Sequence, residues 1–201
     1  MVVRALFPTL VYEARLPAGR GRSLRERLLR EALQLRADDG AGRIWSRDNY
    51  PGGYTSYGSL CRMQSISPTF AQLEHLLDVH ARRFARQLHF DLRGRKLAMT
   101  DCWVNVMPRG VAHGLHLHPQ SVISGTYYVQ VPEGSSAIKF EDPRLDRFMA
   151  APPRLGRGHA WVTMPAAAGR LLMFESWLRH EVPAQRARGL RVSVSFNYGW
   201  F

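Results

Sequence analysis

A chain of 201 residues, 45% of them hydrophobic, holds enough apolar side chains for one sizeable core and too few for two, which argues for a single domain over 1–201. No apolar run approaches the roughly 18 residues of a membrane span, and the opening MVVRALFPTLVYEARLP lacks the charged-then-apolar pattern and small-residue cleavage site of a signal peptide, so a cytoplasmic protein without a membrane partner is expected. The formal net charge of +12 would ordinarily suggest nucleic acid. Only Lys96 and Lys139 are lysines, however, so 28 − 2 = 26 of the basic residues are arginines, a skew typical of GC-rich codon usage. They are scattered over the polar faces of helical patterns with no RNA motif or DNA-reading helix beside them, and a solvated surface is the simpler reading. The two cysteines, Cys61 and Cys102, have no metal-type spacing and read as reduced, buried small hydrophobes.

In chain order, SLRERLLREALQL places Leu24, Leu28, Leu29, Leu33 and Leu35 on a helical stripe behind a Ser23 cap, predicting an amphipathic helix from Ser23 to about Leu35. ADDGAGRIWSRDNYPGGYTSYGS concentrates Gly, Asp, Asn and Pro among aromatics, the composition of a long ordered loop. Trp45, Tyr50, Tyr54 and Tyr57 within it would form a lid over a site or, more simply, cover a core edge. SPTFAQLEHLLDVHARRFARQLHF opens with Ser67 as cap and Pro68 in the first turn, and spaces Phe70, Leu73, Leu76, Leu77, Phe84 and Leu88 helically. The histidines of this helix, His75, His80 and His89, share no face with acidic partners and read as surface or packing residues.

After Gly94 the period becomes two. LAMTDCWVNVM, SVISGTYYVQV, SAIKFED, HAWVTM, GRLLMFE and LRVSVSFNY are short, β-branched or aromatic, and separated by turns rich in Pro and Gly. Residues 1–95 are then a helical and loop support packed on a β-rich core of 96–201, an α+β, mainly β chain whose strands form an antiparallel sandwich or barrel. Gly125 is expected at a bulge or a close approach. Trp161, Phe174, Trp177 and Phe196 are expected in the core, and Pro132, Pro143, Pro152 and Pro153 at turns.

HGLHLHPQ puts three histidines within six positions just before a strand. Side chains two apart on a strand share a face, so His116 and His118 can converge on one metal. His180, after the apolar strand GRLLMF and 180 − 118 = 62 residues downstream, is a third imidazole that a neighbouring strand would return to the pair. Three protein ligands with open positions suit Fe, Zn, Cu or Ni, and with one carboxylate they are the pattern of non-haem Fe(II) oxygenases. In GLRVSVSFNY, Arg191, Ser193 and Ser195 share one face, so a guanidinium and hydroxyls point together at whatever the sheet encloses, and a buried arginine there needs an anion.

These residues resemble the Fe(II)- and 2-oxoglutarate-dependent oxygenases, particularly a group of small bacterial members, and the pattern is similar to the prolyl hydroxylases in order and spacing. The resemblance runs from FPTLVYEA through YPGGYTSYGSL, TDCWVNVM, HLHPQSVISGTYYVQVP and FEDPR to LRVSVSFN. It implies a double-stranded β-helix, or jelly roll, with N-terminal supporting helices. It implies His116, His118 and His180 as iron ligands, Arg191 as the clamp on the 5-carboxylate of 2-oxoglutarate, Tyr128 and Ser193 as its companions, and Asn105 lining the cosubstrate pocket. The activity implied is oxidation of a C–H bond by O2, normally hydroxylation, with 2-oxoglutarate leaving as succinate and CO2.

Most of the superfamily has HxD or HxE where this chain has His118. Three readings of the position are open: His118 coordinates directly, which its spacing favours; Glu141 or Asp142 in KFEDPR supplies a carboxylate; or two histidines bind with water in the gap. His113, in the loop and odd in register, is the fallback ligand. A cupin-like metalloenzyme, binding Zn or Mn as an isomerase or dioxygenase, is the rival enzyme, but PQSV follows HLH where cupins usually place a glutamate. A non-enzymatic nucleic-acid-binding protein is the rival of another class. The substrate class read from this pattern is a small molecule or a peptide, and a homodimer is compatible with it.

Overall fold

A computed structural model describes residues 1–16, 24–150, 152 and 160–201, with the side chains of residues 147 and 148 excepted. The Ser23 cap, Pro153 and His159 lie outside the described residues. Helix α1 runs Leu24–Asp38 and buries Leu24, Leu28 and Ala32; α3 runs Pro68–Gln87, with the Ser67 side chain accepting from the Thr69 amide and Pro68 in the first turn. Between them the expected loop is largely a helix, α2 (Gly40–Asn49). Its glycines hide it from a compositional reading, while Asp39 starts it by accepting from the Gly42 amide at 2.8 Å. The short α4 is Asp146–Ala150. None of the described helices is long and apolar enough to cross a membrane.

Among the described residues, ten strands form two antiparallel sheets. The larger contains β1 (Val11–Arg15), β2 (Tyr54–Thr55), β3 (Leu97–Met107), β5 (Ile123–Gln130), β8 (Arg170–Glu175) and β10 (Arg191–Trp200) in the order β1-β8-β5-β10-β3-β2. The smaller contains β4 (His113–His116), β6 (Ile138–Glu141), β7 (Trp161–Met164) and β9 (His180–Val182) in the order β4-β9-β6-β7. With helices on one side, this is the jelly roll with supporting helices that the sequence implied.

The period of two sorts the large sheet's side chains between two cores. Val192, Val194, Phe196 and Tyr198 of β10, with Cys102, Val104 and Val106 of β3 and Leu171 and Met173 of β8, pack against α1 and α3. The alternate positions Met107, Tyr128, Leu172 and Phe174 meet Ile138, Phe140 and Val182 of the small sheet. Arg191, Ser193 and Ser195 share this inner parity, so the sandwich interior receives them. Gly125 is a close approach, since a Cβ there would meet the Phe196 ring and lie 2.5 Å from the Leu172 carbonyl oxygen.

Several packing expectations are corrected. Phe174 and Phe196 are core, but Trp177 is 46% exposed and Trp161 half-buried, its ring 4.7 Å beneath the Lys139 ammonium. Cys102 is buried and Cys61 only partly so. His80 is a satisfied packing residue, with Tyr12 Oη 2.8 Å from its Nδ1.

Candidate active site

The antiparallel pair β4–β9 sets His116 directly opposite His180 in register. Their ring centroids are 4.3 Å apart. His118 joins them by a different route from the one the spacing suggested. β4 ends at His116, and His118 lies past the strand end, held by its amide donating to the Ser176 carbonyl at 3.0 Å. Held there, its Nε2 lies 3.3 Å from His180 Nε2. One ligand nitrogen of each of the three residues lies within 4.8 Å of the others.

Hydrogen bonds fix the tautomers. His116 Nδ1 donates to the Gly114 carbonyl at 2.7 Å and His180 Nδ1 to the Leu178 carbonyl at 2.9 Å, so each Nε2 carries a lone pair. Burial depresses all the imidazole pKa values, with neighbouring imidazoles adding to the effect: His180 to about 2, His118 to about 4, His113 to about 3, and His116 downward by burial. The rings are therefore neutral at neutral pH, the form that ligates metal. The 3.3 Å separation also suits one cation, because two metal–nitrogen bonds of about 2.1 Å set their nitrogens about 3.0–3.4 Å apart at angles of 90–109°.

The other expected candidates fall elsewhere. Glu141 pairs with Arg179 at 3.1 Å and Asp142 with Arg144 at 2.8 Å, and neither joins the group of candidate ligands. His113 is on β4, opposite Val182, and not in a loop; it stacks on His116 at 4.6 Å. It sits between His116 and the Tyr50 ring, 5.2 Å away, as part of the wall.

One small cavity in the sandwich is lined on one side by these four histidines and on the other by Arg191, Ser193, Ser195, Asn105 and Thr126. Arg191 is 4% exposed and faces no carboxylate there; its Nη1 reaches only Met107 Sδ at 3.9 Å, and its Nε has no hydrogen-bond partner. Its guanidinium lies 5.0 Å from the centre of the Tyr128 ring. The buried hydroxyl of Tyr128 is electrostatically coupled to that guanidinium yet makes no hydrogen bond of good geometry. Tyr50 Oη and Asn105 Oδ1 are also buried and unpartnered, although Asn105 Nδ2 donates to Ser195 Oγ at 3.0 Å. Burial pushes the Tyr50 phenol up to about 12, so it stays a donor. A buried cation amid unsatisfied donors is costly unless an oxygen-rich anion joins it.

A second, larger cleft of about 1040 Å³ opens outward from His113, His116 and His118. Trp45 of α2, Tyr57 and Trp103 form a file of rings, 6.0 Å and then 5.1 Å between centroids, ending 5.8 Å from His118. Of the aromatic segment, Tyr54 is core at 1% exposure, whereas Trp45 and Tyr57 face this cleft. Thr126 and Trp103, two residues before Tyr128 and Asn105, escaped the sequence reading, although period two alone assigns them to the inner face.

Residues 101–197 match the protein family described as "Putative 2OG-Fe(II) oxygenase". The segment contains all three clustered histidines and Arg191. Over this segment the chain is similar to the 2OG-Fe(II) oxygenases. No curated protein matches the chain. Among solved structures, the strands and helices of the chain resemble those of a Pseudomonas putida prolyl-4-hydroxylase, at 16% identity and TM-score 0.63 over 95% of this chain and 92% of that one. They also resemble the epimerase SnoN in complex with Fe3+, alpha ketoglutarate and nogalamycin RO, at 18% identity and TM-score 0.61 over 95% and 79%. A third likeness is to a Trichoplax adhaerens prolyl hydroxylase in complex with a hypoxia inducible factor peptide, at 16% identity and TM-score 0.58 over 93% and 83%. At these identities the likeness is one of fold.

Proposed function

We propose that this chain is one folded domain that uses Fe(II), 2-oxoglutarate and O2 to hydroxylate a C–H bond of a small molecule or peptide. His116, His118 and His180 hold the iron in this reading, and Arg191, with Ser193, Tyr128 and Asn105 around it, holds the far carboxylate of 2-oxoglutarate. The observation that carries it is a buried guanidinium without a carboxylate partner lining the same cavity as three neutral, convergent imidazoles. Three neutral ligands would leave the double charge of the ion uncompensated, and 2-oxoglutarate, with two carboxylates, would offset most of the summed charge of the ion and Arg191.

Bound together, iron and 2-oxoglutarate supply an oxidant from O2, with succinate and CO2 as products. The protein's part is placement. Gly114 and Leu178 carbonyls orient two rings, the aromatic file and the two cores keep bulk water from the inner cavity, and the outer cleft brings a C–H bond to the histidines. The experiment is anaerobic loading with Fe(II) and 2-oxoglutarate, admission of air, and assay for succinate. Succinate in proportion to bound iron supports the reading; bound iron with 2-oxoglutarate left unconsumed contradicts it.

A further inference from the structure

Although 28 of the 201 residues are Lys or Arg, none of the described residues lining the outer cleft is either. Arg95 lies over the Trp200 ring at 5.3 Å but does not line the cleft. Among the described residues the lining holds one carboxylate, Asp101, among the rings of Trp45, Tyr57, Trp103, Trp200 and Phe201. A strongly basic protein thus presents a cleft whose described lining is anionic and aromatic and carries no Lys or Arg.

Asp101 is placed there by a defect in the sheet. Asn197 pairs with Asp101 while Tyr198 pairs with Met99, so Thr100 is an extra residue, and both Thr100 and Asp101 line the cleft while Met99 and Cys102 stay in the core. Thr100 Oγ1 donates to Asp101 Oδ2 at 2.8 Å and Asn197 Nδ2 to the same oxygen at 3.3 Å. The carboxylate is therefore held rigid by one oxygen, while Oδ1 accepts nothing from the described residues.

Resting on the oxygenase reading of the adjacent histidines, we infer that the outer cleft selects a substrate presenting an organic cation, a protonated amine or a guanidinium, to Asp101 and an apolar or aromatic face to Trp45, Tyr57 and Trp103. A cation in such a cleft gains the carboxylate and the faces of the rings together. An anionic substrate meets only repulsion there.

The test is equilibrium binding by the full-length protein, once loaded anaerobically with Fe(II) and 2-oxoglutarate and once in EDTA. The probes are phenethylamine, neutral 2-phenylethanol and anionic 3-phenylpropionate, and as a peptide source acetyl-Trp-Lys-amide against acetyl-Trp-Glu-amide. The cationic probe of each set is expected to bind about tenfold more tightly than its neutral or anionic counterpart. The set with the greater affinity distinguishes a small-molecule source from a peptide. D101N should abolish the preference while metal uptake persists; W45A should weaken all aromatic probes alike, whatever their charge. Tighter binding of the anionic probes, or a preference that survives D101N, overturns the inference. Loss of metal by D101N also overturns it, because Asp101 would then act through Asn197 on the neighbouring His118. Binding in EDTA does not involve iron, so failure here is separate from failure to turn over 2-oxoglutarate.

Discussion

His116 and His180 are cross-strand partners, one at the end of β4 and the other at the start of β9, and their protonated Nδ1 atoms are each fixed by a carbonyl two residues earlier in the chain. The pair is thus built by backbone register, and His118 is the member held beyond the strand end, by its amide on the Ser176 carbonyl. His118→Ala should weaken metal binding about 10- to 100-fold, whereas His118→Asp should retain one equivalent of metal, because a carboxylate can ligate from the same position. Metal titration of both variants checks this. Equal loss in both would mean that the local backbone had failed.

Arg191→Ala removes the guanidinium and leaves the histidine cluster intact. The concentration of 2-oxoglutarate needed for half-maximal turnover should rise about 100-fold, with metal content unchanged. Direct titration of 2-oxoglutarate into the anaerobic iron form checks it.

Acid should destabilise the metal-free protein. The imidazoles of His113, His118 and His180 have folded pKa values of about 3, 4 and 2, below the 6.5 of the unfolded chain. The unfolded state therefore binds more protons. The stability these neutral rings represent is whole above pH 6.5 and is lost progressively as pH falls from 6.5 towards 4. Urea midpoints at pH 7.5, 6 and 5 should fall in that order, and His180→Phe should flatten the trend.

Helix α2 depends on Asp39, which accepts from the Gly42 amide, from Tyr54 Oη at 2.9 Å and from Ser59 Oγ at 2.5 Å. Asp39→Ala should cost about 1–2 kcal/mol in denaturant unfolding, and should weaken aromatic probes in the outer cleft because Trp45 sits on this helix.

Gly125→Val should destabilise more than Gly125→Ala, by about 1–3 kcal/mol overall, since the added carbons meet Phe196 and a backbone carbonyl that has no room to yield. Thermal unfolding of the two variants checks the order.

The β-rich half was legible because alternation is a local signal: Arg191, Ser193 and Ser195 sort to the inner face by period alone, and the long strands fall within two residues of their expected bounds. Helix α2 was not, since its cap and buried Tyr54 contact matter more than its glycines. His118 lies within reach of His116 and His180 although the strand stops two residues short of it. Asp101 could not be read at all: its exposure to the cleft depends on a bulge set by pairing with β10, a relation between residues almost a hundred positions apart.

Anaerobic calorimetric titration of Fe(II) into the wild-type protein and into the double variant H116A/H180A, each followed by 2-oxoglutarate, tests the central claim most directly. The wild type should bind one equivalent of iron and then one of 2-oxoglutarate, and the double variant neither tightly. Stoichiometric iron in the double variant would contradict the assignment of the three imidazoles as one metal centre.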